Sequence, residues 1–201
     1  MSDIFKFIGD WVEREGEAEL DAAVWEAFGC ERTVLVADMA GFTTSTRERG
    51  IVHYLRLIQR MRRLGAELLE AHCGRLVRFE ADNLFAVFGA PDAALRFSEE
   101  FVARCEASNQ SQPPESQIHI SLGIDHGRIL LREDDFFGDA VNMASKLGED
   151  LARSREILVT RAVAEMTADA GFRFNEVGSQ EFAGTPERVF ELVWGEGVVV
   201  E

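Results

Sequence analysis

The order of predicted strands and helices between residues 33 and 125 constrains the fold more than any other feature of the sequence. The β-branched, nearly continuous apolar run at 33–38 predicts a central strand. Apolar residues recur at helical spacing over 51–72, which predicts a long helix. The next elements are two strands, a helix and a strand, at 75–80, 84–88, 90–106 and 117–125. This order is the split βαβ plan of ferredoxin-like domains.

The rest of the sequence adds strands and helices to this core. The predicted additions lie at 128–131, 139–152, 156–159, 161–168, 172–177 and 188–194. Two short amphipathic helices precede the core within residues 3–28. Because no linker-like stretch interrupts the middle of the chain, we predict an α/β (α+β) fold with one domain at 31–195, an N-terminal helical extension at 1–30 and a tail at 196–201.

The charge of the chain argues against one class of partner. Lys and Arg total 21 while Asp and Glu total 36, so the formal net charge is −15. Only Lys6 and Lys146 are lysines. A surface this acidic repels phosphate backbones, and we expect no nucleic-acid partner. An anionic ligand has to be held locally, by metal ions or by a few placed cations.

Cysteine usage and hydropathy lead us to expect a cytoplasmic protein without a membrane span. Cys30, Cys73 and Cys105 are widely spaced and form no CxxC pair, which predicts reduced thiols. No apolar run approaches the roughly 20 residues that cross a bilayer. The amphipathic N-terminus carries acidic residues early, unlike a secretory or transit peptide.

Two aspartates fall at the ends of predicted strands. Asp38 closes the first strand, and Asp82 lies in the hairpin between the second and third. In a split βαβ plan the first strand can lie beside that hairpin, which would bring the two carboxylates to one edge. Paired carboxylates are ligands for hard divalent cations. Either aspartate alone is more typical of a turn or a helix cap, so the prediction rests on the pair.

The turn after Asp38 is a candidate phosphate-binding segment. It leads from a strand into a helix around one flexible glycine, Gly41. Backbone N–H groups at such a turn can face a triphosphate, so Gly41, Phe42 and Thr43 are candidate substrate-binding residues. A single glycine without a Walker lysine is a weak signal when taken alone.

Three segments, in order, resemble the motifs of class III nucleotidyl cyclases. They are VLVADMAGFT at 34–43, RFEADNLFAVFG at 78–89 and DFFGDAVNMASKL at 135–147. Residues 156–160 are similar to the strand that follows the third motif. The resemblance spans about residues 32 to 194, and by it the chain is identified as a member of a divergent, bacterial-type branch of this family.

The resemblance implies a cyclase that converts ATP to 3′,5′-cyclic AMP and pyrophosphate with two divalent cations, Mg²⁺ or Mn²⁺. Asp38 and Asp82 correspond to the two metal-binding aspartates, and the backbone carbonyl of Met39 to a further ligand. Catalytic centres in this family lie between two domains. A single catalytic domain therefore implies a homodimer with two equivalent sites.

The resemblance also assigns the groups that contact the nucleotide. Asp135 corresponds to the acceptor for the adenine amino group, and Arg78 stands where a base-reading lysine is usual. Asn142 corresponds to the asparagine that orients the ribose, and Lys146 to a transition-state arginine.

Base choice follows from donors and acceptors. Asp135 accepts hydrogen bonds and Arg78 only donates them, which suits the amino group and N1 of adenine. Guanine presents the reverse pattern. Cytosine, however, presents the same edge as adenine, and one bacterial branch of the family makes cyclic CMP or cyclic UMP as an antiphage signal. ATP is favoured, and CTP or UTP is the alternative.

The chain departs from the family pattern at four places, and all of them except Arg78 favour a second hypothesis. Lys146 replaces an arginine and loses its two-pronged grip, while Arg78 replaces a lysine. The segment at 128–134 is short, and Ala183 stands where many members carry a phosphate-binding lysine. The chain could therefore be a degenerate cyclase domain that binds nucleotide or regulates a partner.

One observation weakens this second hypothesis, and another excludes a third hypothesis, a diguanylate-type cyclase. Arg128 or Arg132 could supply the charge that Ala183 lacks. A diguanylate-type cyclase is excluded because the sequence contains no GGDEF-like turn.

Overall fold

A computed structural model describes residues 4–10, 16–40, 49–182 and 184–195. The helices are α1 (Ile4–Gly9), α2 (Glu17–Phe28), α3 (Ile51–Ala71), α4 (Pro91–Asn109), α5 (Asp139–Ser145) and α6 (Arg161–Met166). The strands are β1 (Gly29–Met39), β2 (Arg75–Glu80), β3 (Asn83–Phe88), β4 (Ile120–Leu131), β5 (Phe136–Phe137), β6 (Ile157–Thr160), β7 (Phe174–Phe182) and β8 (Thr185–Leu192). No helix in these ranges is long and apolar enough to cross a membrane. The predicted tail at 196–201 lies outside the described residues.

The strands form one sheet in the order β2-β3-β1-β4-β6-β8-β7, and β5 pairs with β4. β1 is antiparallel to both β3 and β4, whereas β4 and β6 are parallel. The segment β2-β3-β1-β4, with α3 following β1 and α4 following β3, is the ferredoxin-like core. The predicted mixed α/β fold is confirmed.

The predicted separation between the fourth strand and the next one is wrong. The strands expected at 117–125 and 128–131 form the single strand β4. β1 is 11 residues long and pairs with β4 from Gly29 opposite Leu130 to Met39 opposite Ile120. The continuous backbone pairing carries β4 across Gly127 and starts β1 at Gly29, before the predicted residue 33.

The helix predicted at 139–152 ends early. α5 stops at Ser145, and a π-helical turn, Lys146–Leu151, continues it. This turn lies directly on the sheet, because a Cβ on Gly123 would be 2.1 Å from the Ala144 carbonyl oxygen and 2.3 Å from the Gly148 nitrogen. The Ser121 hydroxyl donates a 3.0 Å hydrogen bond to the Gly148 carbonyl. Residues without side chains at 123 and 148 therefore allow the π turn to approach the sheet this closely.

The sheet has an apolar core on each face. Leu35, Ala37 and Met39 of β1 belong to the larger core, which α3 and α4 cover. Val34 and Val36 belong to the smaller core under α5. Because side chains alternate along a strand, Asp38 follows Val34 and Val36 on the α5 face.

The N-terminal helices cover one end of the β4–β5 pair. Buried Ile4 of α1 clusters with Val24 and Phe28 of α2, and Leu130 and Phe137 pack against that cluster. The helices therefore lie over the strand that directly follows Asp135.

The contact between Gly123 and Gly148 predicts a position-specific cost in stability. Gly123→Ala places a methyl group against backbone atoms of α5 and of the π turn, so we expect the free energy of unfolding to fall by about 1–3 kcal/mol in urea denaturation. Gly127→Ala on the same strand is the control, because its Cβ meets only the Ala140 Cβ at 3.4 Å. Equal stabilities of the two variants would contradict this packing.

Candidate active site

Asp38 and Asp82 lie together at one end of the sheet. The β1–β3 pairing runs as far as Ala37 opposite Leu84. Asp38 is the next residue of β1, and Asp82 lies in the short turn that precedes β3. The two carboxylates are half-buried and close enough for the charge of Asp82 to raise the pKa of Asp38.

The electrostatics of this end of the sheet favour a cation. Burial, then repulsion from Asp82, raises the pKa of Asp38 to about 6, and the charge of Glu149 adds to the effect. A hydrogen bond from the Met39 backbone N–H acts in the opposite direction. A divalent cation would relieve this repulsion, and carboxylate and carbonyl oxygens are the ligands it prefers.

The donor set is incomplete without other ligands. Within the described ranges, no three His, Cys, Asp or Glu side chains group in a way that could hold a metal ion. Asp38, Asp82 and the Met39 carbonyl fit a cation that keeps several positions for water or phosphate oxygens, as Mg²⁺ usually does.

Tyr54 of α3 lies close to two of these groups, and the sequence patterns did not indicate that it belongs to the site. Its hydroxyl donates a 2.7 Å hydrogen bond to Asp82 Oδ2 and lies 3.5 Å from the Met39 carbonyl oxygen. Burial, then this hydrogen bond and the charge of Asp82, raises the pKa of Tyr54 well above its usual range. The sequence holds one signal, because Tyr54 is the only tyrosine in the chain.

Glu149 is a second residue that the sequence did not single out. It lies on the π turn, and its charge contributes to the raised pKa of Asp38. Burial raises the pKa of Glu149 itself, although hydrogen bonds from Ser145 and Asn83 act in the opposite direction. The predicted regular helix over 139–152 gave no reason to expect this carboxylate near β1.

Arg78 and Asp135 are brought together from positions 57 residues apart. Arg78 Nη1 donates a hydrogen bond to Asp135 Oδ1, and Arg78 Nε donates to Glu80 Oε2 at 3.2 Å. The guanidinium carbon lies 4.3 Å from the Phe85 ring centroid and 5.6 Å from that of Phe136. The donor and the acceptor expected to contact the base are therefore neighbours on the α5 face.

The fold presents Asn142 and Lys146 to solvent. Asn142 lies on α5, and Lys146 begins the π turn one helical turn later. The Lys146 side chain is 44% exposed, and Nζ donates a 2.6 Å hydrogen bond to Asp150 Oδ2. A partly exposed pair of this kind leaves the ammonium able to exchange Asp150 for a phosphate.

Of the remaining predicted site residues, four fall outside the described residues and two contact the N-terminal helices. Gly41, Phe42 and Thr43, and also Ala183, fall outside the described residues. Arg128 stacks over Trp25 with its guanidinium carbon 4.5 Å from the ring centroid. Arg132 pairs with Asp134 at 3.3 Å and lies over the Phe5 ring. Both arginines therefore contact the N-terminal helices.

The comparison with protein families identifies the class of this domain. A family model described as the adenylate and guanylate cyclase catalytic domain matches residues 29–194. The chain belongs to this family, as its three motifs predicted.

Individual proteins agree with this assignment. An adenylate cyclase from Glutamicibacter nicotianae is 31% identical over 147 residues, which cover 71% of this chain and 34% of that protein. The structure of an adenylate/guanylate cyclase/hydrolase from Silicibacter pomeroyi is 29% identical, with a TM-score of 0.70, and the similarity covers 82% of this chain and 97% of that one. The adenylyl cyclase CyaB from P. aeruginosa shares the fold, with a TM-score of 0.73 at 20% identity over 83% and 96% of the two chains.

The curated relatives are much longer proteins. The matched regions make up between 17% and 34% of their lengths, from a serine/threonine-protein kinase of Myxococcus xanthus to the G. nicotianae enzyme. The similarity therefore concerns the catalytic domain and not the whole of those proteins.

The raised pKa of Asp38 predicts a pH-dependent gain in stability from Asp38→Asn. The native state disfavours the charged carboxylate, so its ionisation destabilises the fold as pH rises from about 4 through about 6. In EDTA at pH 7.5 we expect the variant to raise Tm by about 2–4 °C. This rise corresponds to a gain of about 1 kcal/mol in the free energy of unfolding, after allowance for solvent screening. At pH 5 the gain should be smaller.

Asp169→Asn is the control for this experiment, because Asp169 is exposed and lies in a 3₁₀ turn that is distant from Asp38 in the sequence. A gain in Tm that is equal at the two pH values, or equal in the two variants, would contradict the electrostatic origin.

Proposed function

We propose that this chain is a metal-dependent cyclase that converts ATP to 3′,5′-cyclic AMP and pyrophosphate. The observation that carries the proposal is the repulsive Asp38–Asp82 pair at the end of β1, on a domain whose α5 face also carries the adjacent Arg78 and Asp135. Membership of the cyclase family and the similarity to bacterial adenylate cyclases support the same reaction.

Asp38, Asp82 and the Met39 carbonyl would hold two divalent cations, Mg²⁺ or Mn²⁺. When bound, such cations lower the pKa of the ribose 3′-hydroxyl and offset the charge of the triphosphate. The 3′-hydroxyl loses its proton to solvent and its oxygen bonds to the α-phosphorus. The bond between the α-phosphorus and the oxygen that bridges to the β-phosphorus breaks, and pyrophosphate leaves. The half-buried position of Asp38 strengthens its interaction with a cation, because less water screens the charge.

The remaining site residues orient the nucleotide. Asp135 uses Oδ1 for both Arg78 and the Phe136 N–H, so Oδ2 is the oxygen left for a base amino group. Arg78 lies beside two phenylalanine rings and offers its remaining N–H groups to a ring nitrogen. Asn142 orients the ribose, and the Lys146 ammonium stabilises charge that grows on the α-phosphate.

The active unit we propose is a homodimer. In the family, the metal-binding aspartates and the groups that contact base and ribose come from different domains. Two copies of this chain would therefore form two equivalent sites, related by a twofold axis.

A pyrimidine nucleotide is the second candidate substrate, and the geometry of Arg78 favours it. A planar guanidinium matches two adjacent acceptors, and cytosine presents N3 and O2 side by side, whereas adenine presents only N1 on that edge. We keep ATP first because the named enzymes among the curated relatives include adenylate cyclases.

The test is an assay of ATP, GTP, CTP and UTP with Mn²⁺, in which products are identified by mass. We expect cyclic AMP to be the main product. Cyclic CMP or cyclic UMP without cyclic AMP would establish the pyrimidine reaction instead. Tight nucleotide binding without any cyclic product would establish the degenerate, binding-only domain.

The two lysines of the chain provide a matched pair of variants for the same assay. Lys146→Ala removes the charge that stabilises the transition state, so we expect kcat to fall about 10²–10³-fold. Lys6→Ala is the control, because Lys6 is exposed on α1 and belongs to no proposed site. If both variants cyclise ATP at the wild-type rate, Lys146 has no catalytic role.

A further inference from the structure

We propose that Tyr54 is the positioning residue of the cation site, an inference that rests on the proposed function. Its hydroxyl donates to Asp82 Oδ2 at 2.7 Å and lies 3.5 Å from the Met39 carbonyl oxygen. Asp82 and Met39 belong to different elements, a hairpin turn and the end of β1. One side chain therefore joins two of the proposed cation ligands.

The hydroxyl is held rigidly. The Tyr54 side chain is 1% exposed and packs in the larger core with Leu57, Ile58 and Met39. A ring enclosed in this way cannot turn its hydroxyl away without opening the core. Tyr54 therefore presents a fixed donor, and Asp82 Oδ2 is oriented by it.

The chemistry of the donor explains what this contact contributes. A phenolic O–H is neutral, and it places a partial positive charge beside a carboxylate that Asp38 repels. It uses one carboxylate oxygen and leaves Oδ1 of Asp82 for a cation. The site is thereby organised before the cation arrives, which reduces the cost of assembling its ligands.

A separate contact holds the backbone of the same hairpin. Arg62, two turns further along α3, donates a 2.6 Å hydrogen bond from Nη2 to the Ala81 carbonyl oxygen. Its guanidinium carbon lies 4.9 Å from the Phe79 ring centroid. The hairpin should therefore keep its place when the Tyr54 hydroxyl is removed. Arg62→Met is consequently the matched control, since it loses a tether to the turn but leaves the Asp82 carboxylate oriented.

The first measurement uses Tyr54 as a spectroscopic probe. Because the chain contains one tyrosine, incorporation of 3-fluorotyrosine into the full chain gives a single ¹⁹F resonance. We expect Mg²⁺ to shift this resonance and Mn²⁺ to broaden it, and we expect Asp38→Asn to abolish both effects. A resonance that stays unchanged while electron paramagnetic resonance shows Mn²⁺ bound to the protein would overturn the proposal.

The second measurement compares Tyr54→Phe with Arg62→Met. We expect Tyr54→Phe to weaken Mn²⁺ binding, measured by electron paramagnetic resonance, about 10-fold or more, the usual effect of losing a group that orients a metal ligand. The Mn²⁺ concentration for half-maximal activity should rise equally, with kcat at saturating Mn²⁺ little changed. Arg62→Met should leave both Mn²⁺ values at wild type.

Equal Mn²⁺ affinity in wild type and Tyr54→Phe would overturn the positioning role, and so would equal losses in Tyr54→Phe and Arg62→Met. These outcomes are separate from failure of the proposed function. If no nucleotide is cyclised, the binding and ¹⁹F measurements still decide whether Tyr54 organises a cation site.

Discussion

The repulsion between Asp38 and Asp82 is the interaction on which the site depends. The two carboxylates meet because β1 lies between β3 and β4 in the sheet, and β1 ends beside the turn that precedes β3. Burial and this repulsion raise the pKa of Asp38 to about 6. A fold that maximised its own stability would separate these groups, so their proximity is consistent with a site that needs negative charge for binding.

The neighbouring elements offset part of this repulsion without removing it. The Met39 backbone N–H donates to Asp38, and the Tyr54 hydroxyl donates to Asp82. Glu149 adds a further negative charge from the π turn. Net negative charge therefore remains at the end of β1, where a divalent cation interacts most favourably.

The two faces of the sheet have different roles in the domain. The larger core holds α3 and α4 against one face and fixes the ring of Tyr54. The other face carries Asp38, together with Arg78, Asp135 and the π turn that bears Lys146. The close approach of Gly123 and Gly148 sets the height of that turn above the sheet. Because successive side chains of β1 point to opposite faces of the sheet, this one strand contributes both to the packed core on one face and to the ligand groups on the other.

The sequence predicted the topology and the aspartate pair because both follow from local patterns. Strand and helix periods gave the order of elements, and that order placed Asp38 beside the hairpin of Asp82. Long-range contacts explain the errors. Pairing with β1 carries β4 across Gly127, and the end of the predicted helix forms a π turn that packs against Gly123.

Tyr54 and Glu149 were missed for the same reason. In the sequence, Tyr54 is one more apolar position in the stripe of α3, and nothing local shows that its hydroxyl reaches Asp82. Glu149 is an ordinary acidic residue near a helix end until the π turn brings it beside β1. Such roles depend on distances between elements, which a periodic pattern does not contain.

The most direct test of this account is a Mn²⁺ titration of the wild-type chain, Asp38→Asn and Asp82→Asn, followed by electron paramagnetic resonance of free Mn²⁺. The account predicts saturable binding to the wild-type protein and its loss in each single variant, because neither carboxylate suffices alone. Equal binding by all three proteins, or no binding to the wild type, would contradict it.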